Sequence, residues 1–242
     1  MSTPLDTAPW TDWVDWAVAQ HRSGLRVACS LSVEDSLVID AIAARAQSLA
    51  PHDRPSVFVL DTGRLHEESY RLLASLRDRY PLEFAVMVPE PARLEPLLRT
   101  KGPLSFYDSI ENRRECCTIR KVEPLRRALS GASAWMTGQR RAQSVTRVNL
   151  APLEADSDHG GIAKFNPLAL VSDETLWAEV ERRNAPVNVL HRRGFPSIGC
   201  APCTRAVAAG QDPRSGRWWW EDPEHKECGL HTAPTETRKS AG

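Results

Sequence analysis

The stretch Leu25-Arg26-Val27-Ala28-Cys29-Ser30-Leu31-Ser32-Val33-Glu34-Asp35 decides the fold. An apolar strand pattern, Leu25 to Cys29, runs into the polar turn Ser30-Leu31-Ser32, and a helical pattern follows from about Glu34 to Leu49. Ser32 with Asp35 three residues later resembles a capping box, the signature of a helix start. A second unit of the same kind comes next. Ser56 to Leu60 reads as a strand ending in Asp61-Thr62-Gly63, and Leu65 to Tyr80 carries apolar residues at helical spacing. Strand, helix, strand, helix implies right-handed crossovers and a parallel sheet, so the expected class is α/β.

Leu82 to Val88 supplies a third strand, after which Pro89, Pro91, Pro96 and Pro103 predict a long excursion over the surface. A helix is expected from about Cys117 to Leu129, and a fourth strand from Ala134 to Thr137, ending at Gly138. The polar stretch Glu154 to Gly161 reads as a loop, Ile162 to Asn166 as a further short strand stopped by Pro167, and Asp173 to Asn184 as a helix with an acidic first turn. From Pro186 onward no long periodic segment remains. Order there must come from docking on the sheet or from a bound metal or ligand.

A chain of 242 residues can bury a full core without staples. The six cysteines could form three disulfides, but the N-terminus has neither the basic stretch nor the apolar run of a secretory signal. A cytoplasmic location is expected, where cysteines serve as metal ligands or reactive thiols. No apolar run approaches the roughly 20 residues of a membrane-spanning helix. Lys plus Arg and Asp plus Glu both total 31, which leaves no overall basic field for nucleic acid. The basic residues do cluster, at Arg113–Arg114, Arg120–Lys121, Arg126–Arg127, Arg140–Arg141 and Arg192–Arg193. Several of these pairs adjoin cysteines or turns, where they suit a small polyanion as well as a solvated helix face.

Cys200-Ala201-Pro202-Cys203 alone fits a metal site, a redox pair or a structured turn. The adjacent pair Cys116-Cys117 narrows the choice, because neighbouring Cα atoms lie only about 3.8 Å apart, too close for an unstrained disulfide between them. Four thiolates from two segments can converge on one centre. Structural zinc is one reading; a 4Fe-4S cluster, whose larger polyhedron accommodates ligands from adjacent residues, is another; four unrelated buried thiols is the third. Cys29, at the end of an apolar strand, reads as core packing.

The motifs taken together are similar to those of the assimilatory adenylylsulfate and phosphoadenylylsulfate reductase family. The matching text is Cys116-Cys117-Thr118-Ile119-Arg120-Lys121-Val122-Glu123-Pro124-Leu125, Trp135-Met136-Thr137-Gly138-Gln139-Arg140-Arg141 and Pro196-Ser197-Ile198-Gly199-Cys200-Ala201-Pro202-Cys203. It continues through Asp212-Pro213-Arg214-Ser215-Gly216-Arg217-Trp218 and Glu227-Cys228-Gly229-Leu230-His231. The resemblance implies an ATP-pyrophosphatase-like, or adenine nucleotide alpha hydrolase-like, parallel-sheet fold with a C-terminal catalytic tail. It implies a nucleotide-binding domain over residues 1–211 that includes an iron–sulfur site, and a segment 212–242 that carries the catalytic cysteine.

It further implies a 4Fe-4S cluster on Cys116, Cys117, Cys200 and Cys203, and Cys228 as nucleophile. The cluster-bearing members favour adenosine 5'-phosphosulfate as substrate, with thioredoxin as electron donor. Ser30, Ser32, Glu34, Asp35, Asp61, Thr62, Gly63, Lys121, Arg140, Arg141, Arg214, Arg217 and His231 are the expected substrate contacts. Two positions depart from the family pattern. Ser32 stands where a Ser-Phe-Gly-Ala-Glu-Asp-like loop has glycine, which places a residue of limited conformational range in the loop. Arg114 stands where a histidine often precedes Glu-Cys-Cys. The alternatives are reduction of the 3'-phosphorylated nucleotide, an ATP-dependent adenylating or thiolating enzyme, and a zinc-stabilised nucleotide-binding module. Both a monomer and a homo-oligomer are compatible with this sequence.

Overall fold

The computed structural model of the protein describes residues 2–144, 147–208 and 210–222. Six strands form one sheet: β1 (Leu25–Cys29), β2 (Ser56–Leu60), β3 (Glu83–Met87), β4 (Ala134–Met136), β5 (Leu153–Asp156) and β6 (Ile162–Phe165). Their spatial order is β3-β2-β1-β4-β6-β5. Every pairing is parallel except that of β5 with β6.

Period-two alternation delivers side chains to two separate cores. Val27, Val57, Val59, Ala134 and Met136 point into the larger core, with helices α1 (Trp10–His21), α2 (Val33–Ala46), α3 (Glu67–Arg79) and α7 (Asp173–Arg183) contributing to it. Phe58 and Trp135, one residue out of phase, join a smaller core on the other face with Leu125 and Ala128 of α6 (Glu123–Ala128). Burial on both faces is why β4 and the centre of β2 read as continuous apolar runs. Cys29 lies in the larger core, 4% exposed.

Four features differ from expectation. Ahead of Leu25, where no element is expected, α1 buries Trp13, Val14, Ala17 and Val18 along one side. The proline-rich stretch contains a helix, α4 (Pro91–Lys101), rather than an irregular excursion. Pro91 occupies the first turn, where its missing N–H costs nothing, and Pro96 lies only one turn further in; Gly102, at φ 81°, ends the helix. Glu154 to Gly161 is not all loop, since β5 and a 3₁₀ turn (Ser157–His159) occupy most of it. Glu154 pairs directly opposite Lys164 on β6, and Lys164 Nζ donates to Glu154 Oε2 at 3.2 Å.

The helix expected from Cys117 begins earlier. It runs as α5 (Ile110–Cys117), a single wide π turn (Thr118–Val122) and then α6. Ser109 caps it by accepting from Asn112 N–H at 3.1 Å. Wide turns of this kind re-aim side chains and concentrate at functional sites; here the turn carries Arg120 and Lys121 directly after the cysteine pair.

Candidate active site

A cavity of about 700 Å³ opens at the carboxyl ends of β1, β2 and β4. From β1 the chain proceeds to β2 on one side, whereas β4 lies on the other, so this is the switch point at which open α/β sheets bind ligands. Its walls include the β1–α2 turn, Thr62 after β2, Thr137 to Arg140 after β4, Asp173 and Trp177 of α7, and residues of the 191–218 segment.

The β1–α2 turn is held tightly. Asp35 Oδ2 accepts from Ser30 N–H at 2.6 Å, Ser30 Oγ at 2.6 Å and Ser32 N–H at 3.4 Å. The turn's backbone donors therefore already have protein acceptors, and Val33 N–H donates to His191 Nε2 at 3.1 Å. Burial pushes the Asp35 carboxyl up to about 6, against the Ser30 hydrogen bond that favours its charge. The left-handed residue is Leu31, at φ 66°, while Ser32 is extended at φ −91°. The position where the family has glycine thus needs no positive φ here, and the conformational demand falls on its neighbour.

Gly138 lets β4 approach this turn. A Cβ there would stand 2.7 Å from Asp35 Oδ1 and 2.8 Å from Glu34 Cβ. The next residues diverge in role. Gln139 is buried, and its Nε2 has no hydrogen-bond partner among the described residues. Arg140 is buried too, but its guanidinium donates to Glu34 Oε1 at 3.0 Å, Asp173 Oδ1 at 2.5 Å and Val171 O at 3.0 Å. Those carboxylates already balance much of its charge, and Arg140 braces α2 against α7.

Beside the large cavity is a small one bordered by Cys116, Cys117, Cys200 and Cys203 together with Arg64, Phe106, Arg113, Arg120 and Lys121. Two distant segments thus bring four thiols around one space, ringed by four cationic side chains. Thr62 Oγ1 lies 3.3 Å from Cys200 Sγ, and Arg120 Nη1 donates to Thr62 O at 2.5 Å. Burial raises the Cys200 pKa, but Lys121, the Thr62 hydroxyl, Arg217 and Arg120 outweigh it, so the net direction is down. Cys203 is pushed up to about 12 by burial and by Cys200. Among the described residues no group of three or more His, Cys, Asp or Glu side chains is arranged to hold a metal ion. The donor set and its cationic collar nevertheless fit a multi-iron, thiolate-bound, anionic cluster. Lys121 and Cys200 line both cavities.

The model of the phosphoadenosine phosphosulfate reductase domain matches residues 26–206, a span containing both cavities' strand-end loops and all four of these cysteines. The chain belongs to the phosphoadenosine phosphosulfate reductase family. It is 48% identical over 215 residues to the adenosine 5'-phosphosulfate reductase of Neisseria meningitidis serogroup B, covering 88% of this chain and 84% of that one. Among solved structures it resembles the phosphoadenylyl-sulfate reductase of Candida auris in its phosphate complex, with a TM-score of 0.67, 22% identity, and coverage of 83% and 91%. The FMN adenylyltransferase of Candida glabrata shares the fold at a TM-score of 0.56 and 11% identity, covering 88% and 74%. The protein is thus an enzyme of the sulfonucleotide reductase family with that family's α/β nucleotide-binding fold.

Of the expected family contacts, Ser30, Ser32, Glu34, Asp35, Thr62, Lys121, Arg140, Arg214 and Arg217 line the large cavity. Asp61, Gly63 and Arg141 are not among its lining residues. Asp61 Oδ1 accepts from Gly63 N–H and Tyr70 Oη, both at 2.8 Å, so it shapes the turn after β2, where Gly63 takes φ 68°. Arg141 Nε donates to Leu150 O at 2.8 Å. Cys228 and His231 lie outside the described residues. Residues 212–222 pack inward: Trp218 is fully buried with Cys117, Cys200 and Cys203, and Arg217 lies over its ring at 5.0 Å.

Sequence reasoning did not single out Arg64, Gln139, Trp177, Asn188 or His191. Arg64 follows the quoted Asp61-Thr62-Gly63 turn directly, a signal that was readable. Asn188 and His191 fall in a segment with no periodicity, and nothing local marks them.

Proposed function

We propose that this enzyme reduces adenosine 5'-phosphosulfate to sulfite and AMP through an S-sulfocysteine on Cys228. The observation that carries the reading is the shared wall: Lys121 and Cys200 border both the switch-point cavity and the four-cysteine cavity. A nucleotide held at the strand ends would thereby extend its terminal group toward the cysteine site. The name and high identity of the Neisseria relative support the same substrate.

In this reading the nucleotide occupies the large cavity, and Lys121, Arg214 and Arg217 neutralise the sulfate and the leaving phosphate. Ser32 contributes its hydroxyl, since the N–H groups of Ser30, Ser32 and Val33 are engaged within the protein. The Cys228 thiolate attacks the sulfate sulfur. A sulfur–sulfur bond forms, the sulfur–oxygen bond to the phosphate breaks, and AMP departs with the electron pair. A dithiol, in our reading thioredoxin, then attacks Cys228 Sγ and releases sulfite. Its second thiol resolves the mixed disulfide, so the two electrons come from the dithiol and Cys228 returns to its starting state. Cytosolic thiol pools would supply that reductant.

Cys116, Cys117, Cys200 and Cys203 would hold a 4Fe-4S cluster. When bound, it supplies fixed charge and order behind Lys121 rather than electrons to the substrate. Arg64, Arg113, Arg120 and Lys121 offset the negative charge of such a site.

The test is sulfite release by anaerobically purified protein with thioredoxin, comparing the two sulfonucleotides. We expect preference for adenosine 5'-phosphosulfate and loss of turnover in Cys228→Ser. Preference for the 3'-phosphorylated form overturns the substrate assignment, and ATP-dependent pyrophosphate release in its place overturns the reaction class.

A further inference from the structure

The β1–α2 turn has a conformation that its own sequence does not favour. Leu31 is a buried, γ-branched residue at φ 66°, where glycine is at ease and other residues are not. Such a turn persists when contacts from elsewhere over-determine it. Two contacts do so from the far end of the chain. Asn188 Nδ2 donates to Leu31 O at 3.2 Å, and Val33 N–H, the first amide of α2, donates to His191 Nε2 at 3.1 Å.

Both partners are themselves fixed. Asn188 is buried, donates also to Ser69 Oγ at 3.1 Å, and accepts from Leu190 N–H at 3.1 Å. His191 sits in a 3₁₀ turn (Val189–Arg193) closed by Gly194 at φ 83°, and its ring meets Trp177 edge-on at 5.8 Å between centroids. Burial lowers the His191 pKa, with Glu34 and the Phe195 backbone pulling the other way, which favours the neutral ring that an Nε2 acceptor requires. The first amide of a helix is ordinarily open to an anionic ligand. Here a side chain takes it.

We propose that His191, itself part of the cavity wall, is a positioning residue for nucleotide binding: with Asn188 it clamps the strained turn, accepting the Val33 amide so that Ser30 and Ser32 stay set toward the cavity. The proposal rests on the reading of that cavity as the nucleotide site. It separates His191 from residues that touch substrate, because its effect passes through the Val33 amide and depends on one acceptor atom.

The test compares AMP binding by calorimetry in the wild-type protein, His191→Met, His191→Gln and Val33→Pro. Met fills similar space without an acceptor, while Gln returns an oxygen near the Nε2 position. Proline removes the donor at the first helical position, which tolerates it, and Ser32 before it is already extended. We expect AMP binding to weaken about tenfold in His191→Met, the size of one hydrogen bond lost with its donor left buried. Binding should recover to within about threefold of wild type in His191→Gln, on the same scale of a single hydrogen bond. Val33→Pro should match His191→Met, and the double variant should lose nothing further. Equal weakening by Met and Gln, unaltered binding in His191→Met, or additive losses in the double variant would overturn the proposal. Absence of AMP binding by the wild type is a separate result, and it overturns the nucleotide reading of the cavity itself.

Discussion

Asp35 illustrates how much one buried side chain organises. Its carboxylate gathers two backbone amides and a hydroxyl of the strand-end turn, yet burial pushes its pKa from the ordinary 3.8 to about 6. The folded protein consequently holds that proton more tightly than the unfolded chain between those two values. Asp35 ionisation therefore lowers stability as pH rises from about 4 to about 6, the reverse of a salt-bridged aspartate. Asp35→Asn keeps an oxygen for the Ser30 amide and removes the titration. In urea unfolding across that pH range, the wild type should lose stability relative to Asp35→Asn as pH rises; parallel curves would show that Asp35 is not the responsible group. The role of Asp35 at a helix start was legible from its spacing to Ser32. The positive φ at Leu31 was not, because Ser32 occupied the position where glycine is usual and drew the expectation to itself. The His191 contact was illegible for a different reason: its partner is 158 residues away in sequence.

At the scale of elements, β1 and β2 have the bounds expected of them: the centre of β2 is buried on both faces and reads as one apolar run, while β1 alternates, with Leu25, Val27 and Cys29 buried and Arg26 and Ala28 less so. β5 escaped notice because four residues of polar-rich alternation cannot be told from a loop until a partner strand is known. The α5–π–α6 helix bears on the site most directly. Arg113 of α5 forms a buried ion pair with Glu221, Nη2 to Oε2 at 2.7 Å and Nε to Oε1 at 2.9 Å, while its guanidinium stacks 4.6 Å above the Trp218 ring. This pair fastens the end of the described chain to the helix bearing the cysteine pair. Removing the carboxylate in Glu221→Ala leaves a cation buried without it, at a cost of about 3–5 kcal/mol. Chemical denaturation should register that loss, and a change within ordinary surface-substitution size, about 0.5 kcal/mol, would contradict the buried geometry.

Across the whole molecule, the parallel sheet, a crevice at its strand ends and the family were legible in strand-turn-helix units and widely separated cysteine motifs, whereas the order of the six strands was not. Sequence spacing could not establish that Lys121 and Cys200 border two cavities at once; that follows from the π turn after Cys117 and the packing of the 200–203 segment beneath the β2 loop. Among the described residues no helix is long and apolar enough to cross a membrane. The functional account comes down to a thiolate reaching a sulfur atom held against that shared wall. The most direct measurement is mass spectrometry of anaerobically prepared protein mixed with adenosine 5'-phosphosulfate and no reductant, followed by peptide mapping. The account predicts one added sulfonate group, on Cys228, with a matching quantity of AMP released. An unmodified Cys228 alongside bound, intact nucleotide would contradict it.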